Sequence, residues 1–557
     1  MSPFNQRKIR PGECAAVLLL AFAVCPQAHA ADASSCARLA ELPITGGIVT
    51  SAKWQEADAT NPGKTLPAHC LVEGVLDRRT GQPAPTSGTG PAASNDQYAI
   101  HFELRLPQEW AGRFFYQGGG GSDGIVNPAT GVTPSWRDGP RALSRGFAVV
   151  SSDAGHTQDQ NAGFGVDPKA RIDYGYASIG RVAEVAKHVI RNFYGEPPKW
   201  SYFAGCSKGG QEALQAMQRY GSEFDGIISG DPGYRLPHAA IAQVADTQAF
   251  SRAAPNSADG RVQLARAFSQ QDLDLVADAV RHQCGTADGT DDGFNYRPDV
   301  CKFDPLVLQC QSGKTDACLS ANQVQALHAV FDGARTPDGH TLYTPWPYDS
   351  GIASANWREW KLGDEKHPSR AETLGAGSMQ YVFSTPPRSA FDIYTVSLGD
   401  LEQSIDRKTA EYGQSAAEFM DADSVDLAAF RSHGGKLLIY HGGSDPVFSV
   451  LDTIHYFKRL QSAYGRHTAD FARLYVVPGM NHCSGGDYAL DSFDSLDAMV
   501  KWVEHGQAPQ AIVAHAGASS GSKLPTGMTR PLCPYPQGAK YLKGDKNDAA
   551  SFACARQ

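Results

Sequence analysis

The sequence predicts an α/β fold, a mostly parallel sheet with helices on its faces, interrupted by one long insertion. Three observations carry this. Short apolar runs of strand length alternate with stretches of helical spacing from residue 99 to residue 229. A serine flanked by glycines stands where one such strand meets the next helix. The rhythm breaks after Pro232 and resumes at Lys436.

The order begins with a leader. Arg7, Lys8 and Arg10 precede an apolar run from Ala15 to Val24 and the small-residue tripeptide Ala28-His29-Ala30. That is the pattern of a secretory signal cleaved after Ala30, and it predicts an exported chain, secreted or periplasmic. The run is too short to span a bilayer, and no later stretch is long enough, so no membrane partner is expected. Val24 before Cys25 argues against a lipid anchor, since a smaller residue usually stands there. Removing the leader's net +2 from the formal charge of −9 leaves about −11, a balance that excludes a nucleic-acid role. No oligomer signal is visible, and a monomer is expected.

Residues 31–234 and 425–557 form the predicted catalytic domain, with the leader at 1–30 and an inserted lid domain at 235–424. Strands are predicted at 99–106, 113–117, 147–151, 200–204, 226–229, 436–441 and 474–477, and helices at 179–193 and 209–220. The glycine run Gly118 to Gly121 reads as an open loop after a strand. Residues 80–94, rich in Pro, Gly, Thr and Ser, read as a surface loop. The insertion reads as irregular, with Trp346, Trp357, Trp360 and Tyr381 among glycines, prolines and close cysteine pairs.

Gly205-Cys206-Ser207-Lys208-Gly209 has the form G-x-S-x-G between a strand and a helix, the context of a nucleophile elbow and of the α/β-hydrolase fold. A serine hydroxyl needs a base, and the base an orienting carboxylate, which follow in the order acid, then histidine, on loops after strands. Asp445 and His482 satisfy that order. Asp153 and Asp231 compete for the acid role, but Asp153 precedes the nucleophile, and Asp231 precedes the insertion, far from the histidine loop. The backbone N–H groups of Lys208 and of the glycine run are the expected oxyanion donors.

Ten cysteines remain after the leader, an even set in an exported chain. Cys36–Cys70, Cys284–Cys301, Cys310–Cys318 and Cys533–Cys554 close modest loops, although sequence does not prove connectivity. Those pairings leave Cys206 and Cys483, one beside the proposed nucleophile and one beside the proposed base. A bridge between them would tie the elbow to the histidine loop.

Cys206-Ser207, Asp445 and His482-Cys483 resemble the linked serine, acid and histidine motif of the tannase and feruloyl esterase family. The likeness extends to Pro232-Gly233-Tyr234, the run from Val477 to Gly486, and the run from Arg530 to Pro536. It implies a serine carboxylic ester hydrolase acting on esters of aromatic acids, among them a terephthalate half-ester, with plant feruloyl or galloyl esters as the alternative. It selects Gly121 among the four glycines as the second oxyanion donor. It places Arg370 on the free carboxylate of a half-ester, with Trp360, Phe448 and Leu236 as apolar walls. Leu374 stands where an aromatic residue is expected.

The resemblance also implies a structural calcium held by the side chains of Asp288 and Asp292 and the carbonyls of Thr290 and Phe294. Gly285 replaces an expected acid there, and an acidic solvated turn is the alternative reading. Two other functional classes stay open: a non-catalytic protein binding aromatic ligands, and a thiol hydrolase using Cys206.

Overall fold

The computed structural model describes residues 31–58, 65–85, 94–285, 289–290, 292–517 and 521–556; the predicted leader lies outside them. Nine strands form one sheet in the order β1-β2-β3-β5-β4-β6-β7-β8-β9. They are β1 Gly47–Gln55, β2 His69–Pro85, β3 Ser94–Pro107, β4 Arg113–Gln117, β5 Phe147–Ser152, β6 Trp200–Cys206, β7 Gly226–Gly230, β8 Lys436–Gly442 and β9 Ala472–Val477. Pairing is antiparallel from β1 to β5 and parallel from β5 through β4 to β9. The parallel half reads as continuous apolar text because helices cover both its faces. Every residue of β5 and β7 is buried.

The helix Ser178–Tyr194 shows how one face is covered. Ile179, Val182, Ala183, Ala186, Val189, Ile190 and Phe193 recur at helical spacing and are all buried, and Gly195 ends the helix at φ 85°. The helix Ser495–His505 packs its apolar side on the other face through Leu496, Met499 and Trp502.

Two expectations need correction. Residues 80–85 are not loop: Thr80 pairs with Gln97 and Ala84 with Asn95 in a long β2–β3 ribbon, while 86–93 lie outside the described residues. Bulges let Gly and Pro sit in this ribbon near the sheet's margin. The insertion is not irregular either. Between β7 and β8 it holds the helices Leu236–Ser251, Gln270–Cys284 and Ala321–Phe331, with shorter ones at Ala355–Lys361 and Ala416–Met420. The first of these is buried on nearly all sides, so it has no polar stripe to betray a helical period.

The insertion shares its core with the rest of the chain: Phe250, Leu273, Leu327, Trp357 and Phe419 are buried in one cluster with Tyr98, Phe164, Tyr174 and Phe448. Its return to the sheet is fastened by glutamines of the helix Lys208–Arg219. Gln211 Nε2 donates to Met420 O at 2.8 Å, and Gln218 Nε2 to Ala422 O at 2.5 Å. Among the described residues no helix is long and apolar enough to cross a membrane.

Candidate active site

Ser207 sits between β6 and the helix Lys208–Arg219 at φ 65° and ψ −127°. A side chain in that region is strained, and the sharp turn is what lifts the hydroxyl clear of the sheet. The flanking glycines are steric necessities: a Cβ on Gly205 would strike the Gly209 carbonyl, and one on Gly209 would sit 2.5 Å from the Gly119 carbonyl.

Asp445 follows β8 and His482 follows β9. His482 Nδ1 lies 2.8 Å from Asp445 Oδ2, and His482 Nε2 lies 2.7 Å from Ser207 Oγ. With the proton on Nδ1 toward the carboxylate, Nε2 is left to accept from the serine hydroxyl. Asp445 Oδ1 accepts from the backbone N–H groups of Val447 at 2.6 Å and Phe448 at 3.2 Å. Burial works to raise this carboxyl, but the charges and hydrogen bonds of His482 and His441 outweigh it and hold it well below the usual carboxylate range.

The cysteines pair as Cys206–Cys483, Cys36–Cys70, Cys284–Cys301, Cys310–Cys318 and Cys533–Cys554. Cys206–Cys483 therefore fastens the residue before Ser207 to the residue after His482, and a bridged Cys206 offers no thiolate for a thiol hydrolase.

Asp231 is not far from the histidine loop, as chain distance suggested. Its Oδ2 accepts from Cys483 N–H at 2.9 Å and its Oδ1 from Gly442 N–H at 2.7 Å, so it joins the ends of β7, β8 and the histidine loop. Asp231 is fully buried; burial, offset by His441 and reinforced by Asp445, pushes its carboxyl up to about 6. Asp153, the other rival, is occupied by His101 at 2.6 Å.

Several neighbours have no role assigned from sequence, although His441-Gly442 and Ser444-Asp445 belong to the stretches that resemble the family. His441 Nε2 lies 3.3 Å from Asp445 Oδ2 and 3.0 Å from Phe448 O, while its Nδ1 lies 2.8 Å from Thr453 Oγ1. The insertion reaches in as well: Asp349 accepts from Gly479 N–H at 2.8 Å, and Ser444 Oγ accepts from Gly351 N–H at 2.8 Å. The Lys208 ammonium is buried, paired with Glu212 and 3.4 Å from Asp123, and lies over the Tyr174 ring. Glu212 accepts from Gly119 N–H at 2.8 Å, and Tyr174 O–H donates to Gly121 O at 3.0 Å. That network fixes the glycine loop against the elbow helix. Only the i,i+4 spacing of Lys208 and Glu212 could have hinted at it.

Two cavities meet at Ser207 and Gly121. The narrower, about 60 Å³, is mainly apolar and is walled by Leu236, Trp360, Leu374 and Phe448, with Lys208 at its base. The wider, about 890 Å³, is lined by His482 and by polar and charged residues from both halves of the chain. Trp360 and Phe448 stand edge-on to the His482 imidazole at 5.6 and 5.4 Å. Arg370 borders the wide cavity, half exposed, paired with Glu359 at 2.7 Å and 5.6 Å above the Trp360 ring.

Of the oxygens expected to hold calcium, Asp288 lies outside the described residues. Asp292 Oδ2 accepts from the buried Arg530 guanidinium at 2.6 Å, and its Oδ1 accepts from Phe294 N–H at 3.2 Å. At Gly285 a Cβ would collide with the Gly293 backbone, so this loop has no room for an acid there. Thr290 and Phe294 are buried nearby. A guanidinium on the carboxylate and a missing acid fit a cation site poorly.

The family model described as tannase and feruloyl esterase matches residues 86–555. The mono(2-hydroxyethyl) terephthalate hydrolase of Piscinibacter sakaiensis is 38% identical, over 92% of this chain and 89% of that protein. A probable feruloyl esterase of Arthroderma benhamiae is 28% identical over 83% of each chain. Among solved structures, feruloyl esterase B from Aspergillus oryzae superposes with a TM-score of 0.74 at 23% identity, covering 94% of this chain and all of that one. That likeness speaks for the fold.

Proposed function

Because the chain belongs to the tannase and feruloyl esterase family and is a carboxylic ester hydrolase, we propose that it cleaves esters of aromatic acids with Ser207 as nucleophile, His482 as base and Asp445 as orienting acid. The observation that carries this reading is the unbroken hydrogen-bonded chain from Asp445 through His482 to Ser207, at 2.8 and 2.7 Å. His482 Nε2 takes the hydroxyl proton as Ser207 Oγ attacks the ester carbonyl. The oxyanion that forms is met by the N–H groups of Lys208 and Gly121, each such donor lowering the barrier by about 3 to 4 kcal/mol. His482 then gives its proton to the departing alcohol. Water, deprotonated by the same imidazole, attacks the acyl-enzyme and releases the acid.

The acyl ring belongs in the narrow apolar cavity, where Leu236, Trp360 and Phe448 supply flat walls. Arg370 takes the second carboxylate of a half-ester such as mono(2-hydroxyethyl) terephthalate, the compound named for the Piscinibacter relative. Leu374 favours a second reading, feruloyl or galloyl esters, because an aliphatic wall closes less tightly over a bare ring. Initial rates on that half-ester, methyl ferulate, methyl gallate and p-nitrophenyl butyrate test the choice. Turnover confined to the aliphatic ester would sink the aromatic reading.

Residues 1–30 act in this proposal as a cleaved leader, and the mature chain is exported, where its disulfides persist. The N-terminal sequence of the exported protein checks it. The insertion, 235–424, serves as the lid. Calcium is given no part in the reaction; a chelator-induced fall in Tm with one calcium per chain by elemental analysis would restore it to the loop at 288–294.

A further inference from the structure

The two cavities are not equivalent with respect to the reaction, and this difference assigns the two halves of the ester. His482 lines the wide cavity and not the narrow one, whereas Lys208 lines the narrow cavity and not the wide one. The imidazole must hand its proton to the departing alcohol, so the alcohol lies on the imidazole's side. The acyl group, with its oxyanion toward Lys208 N–H, lies on the other. A cavity of about 890 Å³ is far larger than ethylene glycol or methanol needs.

The charge on that wall is the second observation. Arg137 and Arg141 both border the wide cavity, with Asp138 between them as the single acid among its lining residues. Arg141 Nη1 donates to Arg137 O at 2.7 Å, which holds the two together, and neither guanidinium makes an ion pair among the described residues. Arg370, the third cation of the cavity, is already held by Glu359. The chain as a whole carries a formal charge of −9. An acidic protein repels anions at long range, so two arginines that outnumber the single acid on the wall of the cavity holding Ser207 mark a place where a negative group is accepted.

We infer that the wide cavity receives the alcohol portion of the ester, and that Arg137 and Arg141 select alcohols bearing a carboxylate. The guanidinium fork matches a carboxylate through parallel N–H donors. The inference rests on the reading of Ser207 and His482 as nucleophile and base. Arg370 also borders the wide cavity, but at its boundary with the narrow one, over the ring of Trp360, which lines both, so a carboxylate on the acid portion meets it across that boundary.

The test uses the whole enzyme and two benzoate esters that differ only in charge, those of 6-hydroxyhexanoic acid and of 1,6-hexanediol. The expected result is a kcat/KM about tenfold higher for the carboxylate ester at low ionic strength, a ratio that shrinks as salt is added. In the double variant Arg137→Gln, Arg141→Gln the ratio falls to about one. Equal rates on the two esters in the parent enzyme overturn the inference whether or not the variant folds, and so does a preference that survives the double substitution. The same comparison with acetate esters of the two alcohols separates this inference from the aromatic one. Acetates cleaved with the charge preference intact, while benzoates are untouched, would remove the aromatic acyl group and leave the alcohol site standing.

Discussion

Asp445 engages four partners, two backbone N–H groups and two imidazoles, all buried in the α/β half of the chain. Arg370, on the insertion, has one carboxylate partner at the surface, and both side chains of that pair are about half exposed. The machinery that breaks the bond is thus fixed redundantly, and the group expected to choose the substrate is held by one screened contact. Surface ion pairs contribute about 0 to 1 kcal/mol, while a buried carboxylate left without its donors costs several times that. Changes on the insertion side can therefore alter specificity at little cost to the fold, whereas changes beneath the serine cannot.

The largest effect that sharpens this contrast is Ser207→Ala. It removes one oxygen from a turn whose geometry is set by glycines, so Tm should hold while kcat falls by on the order of 10⁴-fold or more. Residual activity within tenfold of the parent would break the comparison at its strongest point.

Next comes the bridge. Cys206 and Cys483 are 277 residues apart, which in the loop-entropy account corresponds to about 5.6 kcal/mol, against roughly 2 to 3 kcal/mol for Cys310–Cys318 with its separation of 8. Replacing Cys206 and Cys483 together with serine should lower both Tm and kcat. Replacing Cys310 and Cys318 should lower Tm less and leave the kcat nearly as it was. Equal kcat in the two variants would show that the long bridge positions nothing.

Asp231 gives a smaller, pH-dependent effect. Its folded carboxyl is pushed up to about 6 from an ordinary 3.8, chiefly by burial. The folded state then binds the proton more tightly than the unfolded state, so its contribution to stability is complete below about 3.8 and is lost as pH rises through about 6. Asp231→Asn should flatten the stability profile across that window. Melting temperatures measured from pH 4 to 8 decide it, and a variant that keeps the parent's slope across the window would mean that Asp231 acts on backbone geometry alone.

How much of this was legible follows the same division. The elbow, the acid and the histidine could be read because strand, turn and helix text is local and their order along the chain is fixed by the fold. β4 was read to the residue. The ribbon at 80–85 was not, because bulges admit the very residues that signal loops, and the helix Leu236–Ser251 was not, because complete burial erases its period. Asp231 reads as remote from the histidine loop because strand ends distant in sequence converge at the sheet's edge, and Asp349 acts through contacts that no spacing encodes, whereas the Lys208 ammonium leaves only the i,i+4 hint of its pair with Glu212. Gly285 was legible as a missing acid, but the hold of Arg530 on Asp292 needed the three-dimensional arrangement.

The smallest effect concerns Arg370, and it bears on the weak side of the contrast. Its guanidinium is shared between Glu359 and the Trp360 ring, and a substrate carboxylate must compete with Glu359 for it. Because that pair is half exposed, competition costs little, and the gain is correspondingly modest. Arg370→Ala should raise KM for mono(2-hydroxyethyl) terephthalate by about three- to tenfold, the equivalent of roughly 1 kcal/mol for a partly exposed charged pair. Methyl benzoate, with no second carboxylate, should show no change in KM. Glu359→Gln should act in the opposite sense, freeing the guanidinium and lowering KM for the half-ester by about twofold at low salt. Steady-state kinetics on the two substrates distinguish the outcomes. Equal losses on both, or an Arg370→Ala variant that treats the half-ester as the parent does, would place the substrate's second carboxylate elsewhere and leave feruloyl and galloyl esters as the better account of the pocket.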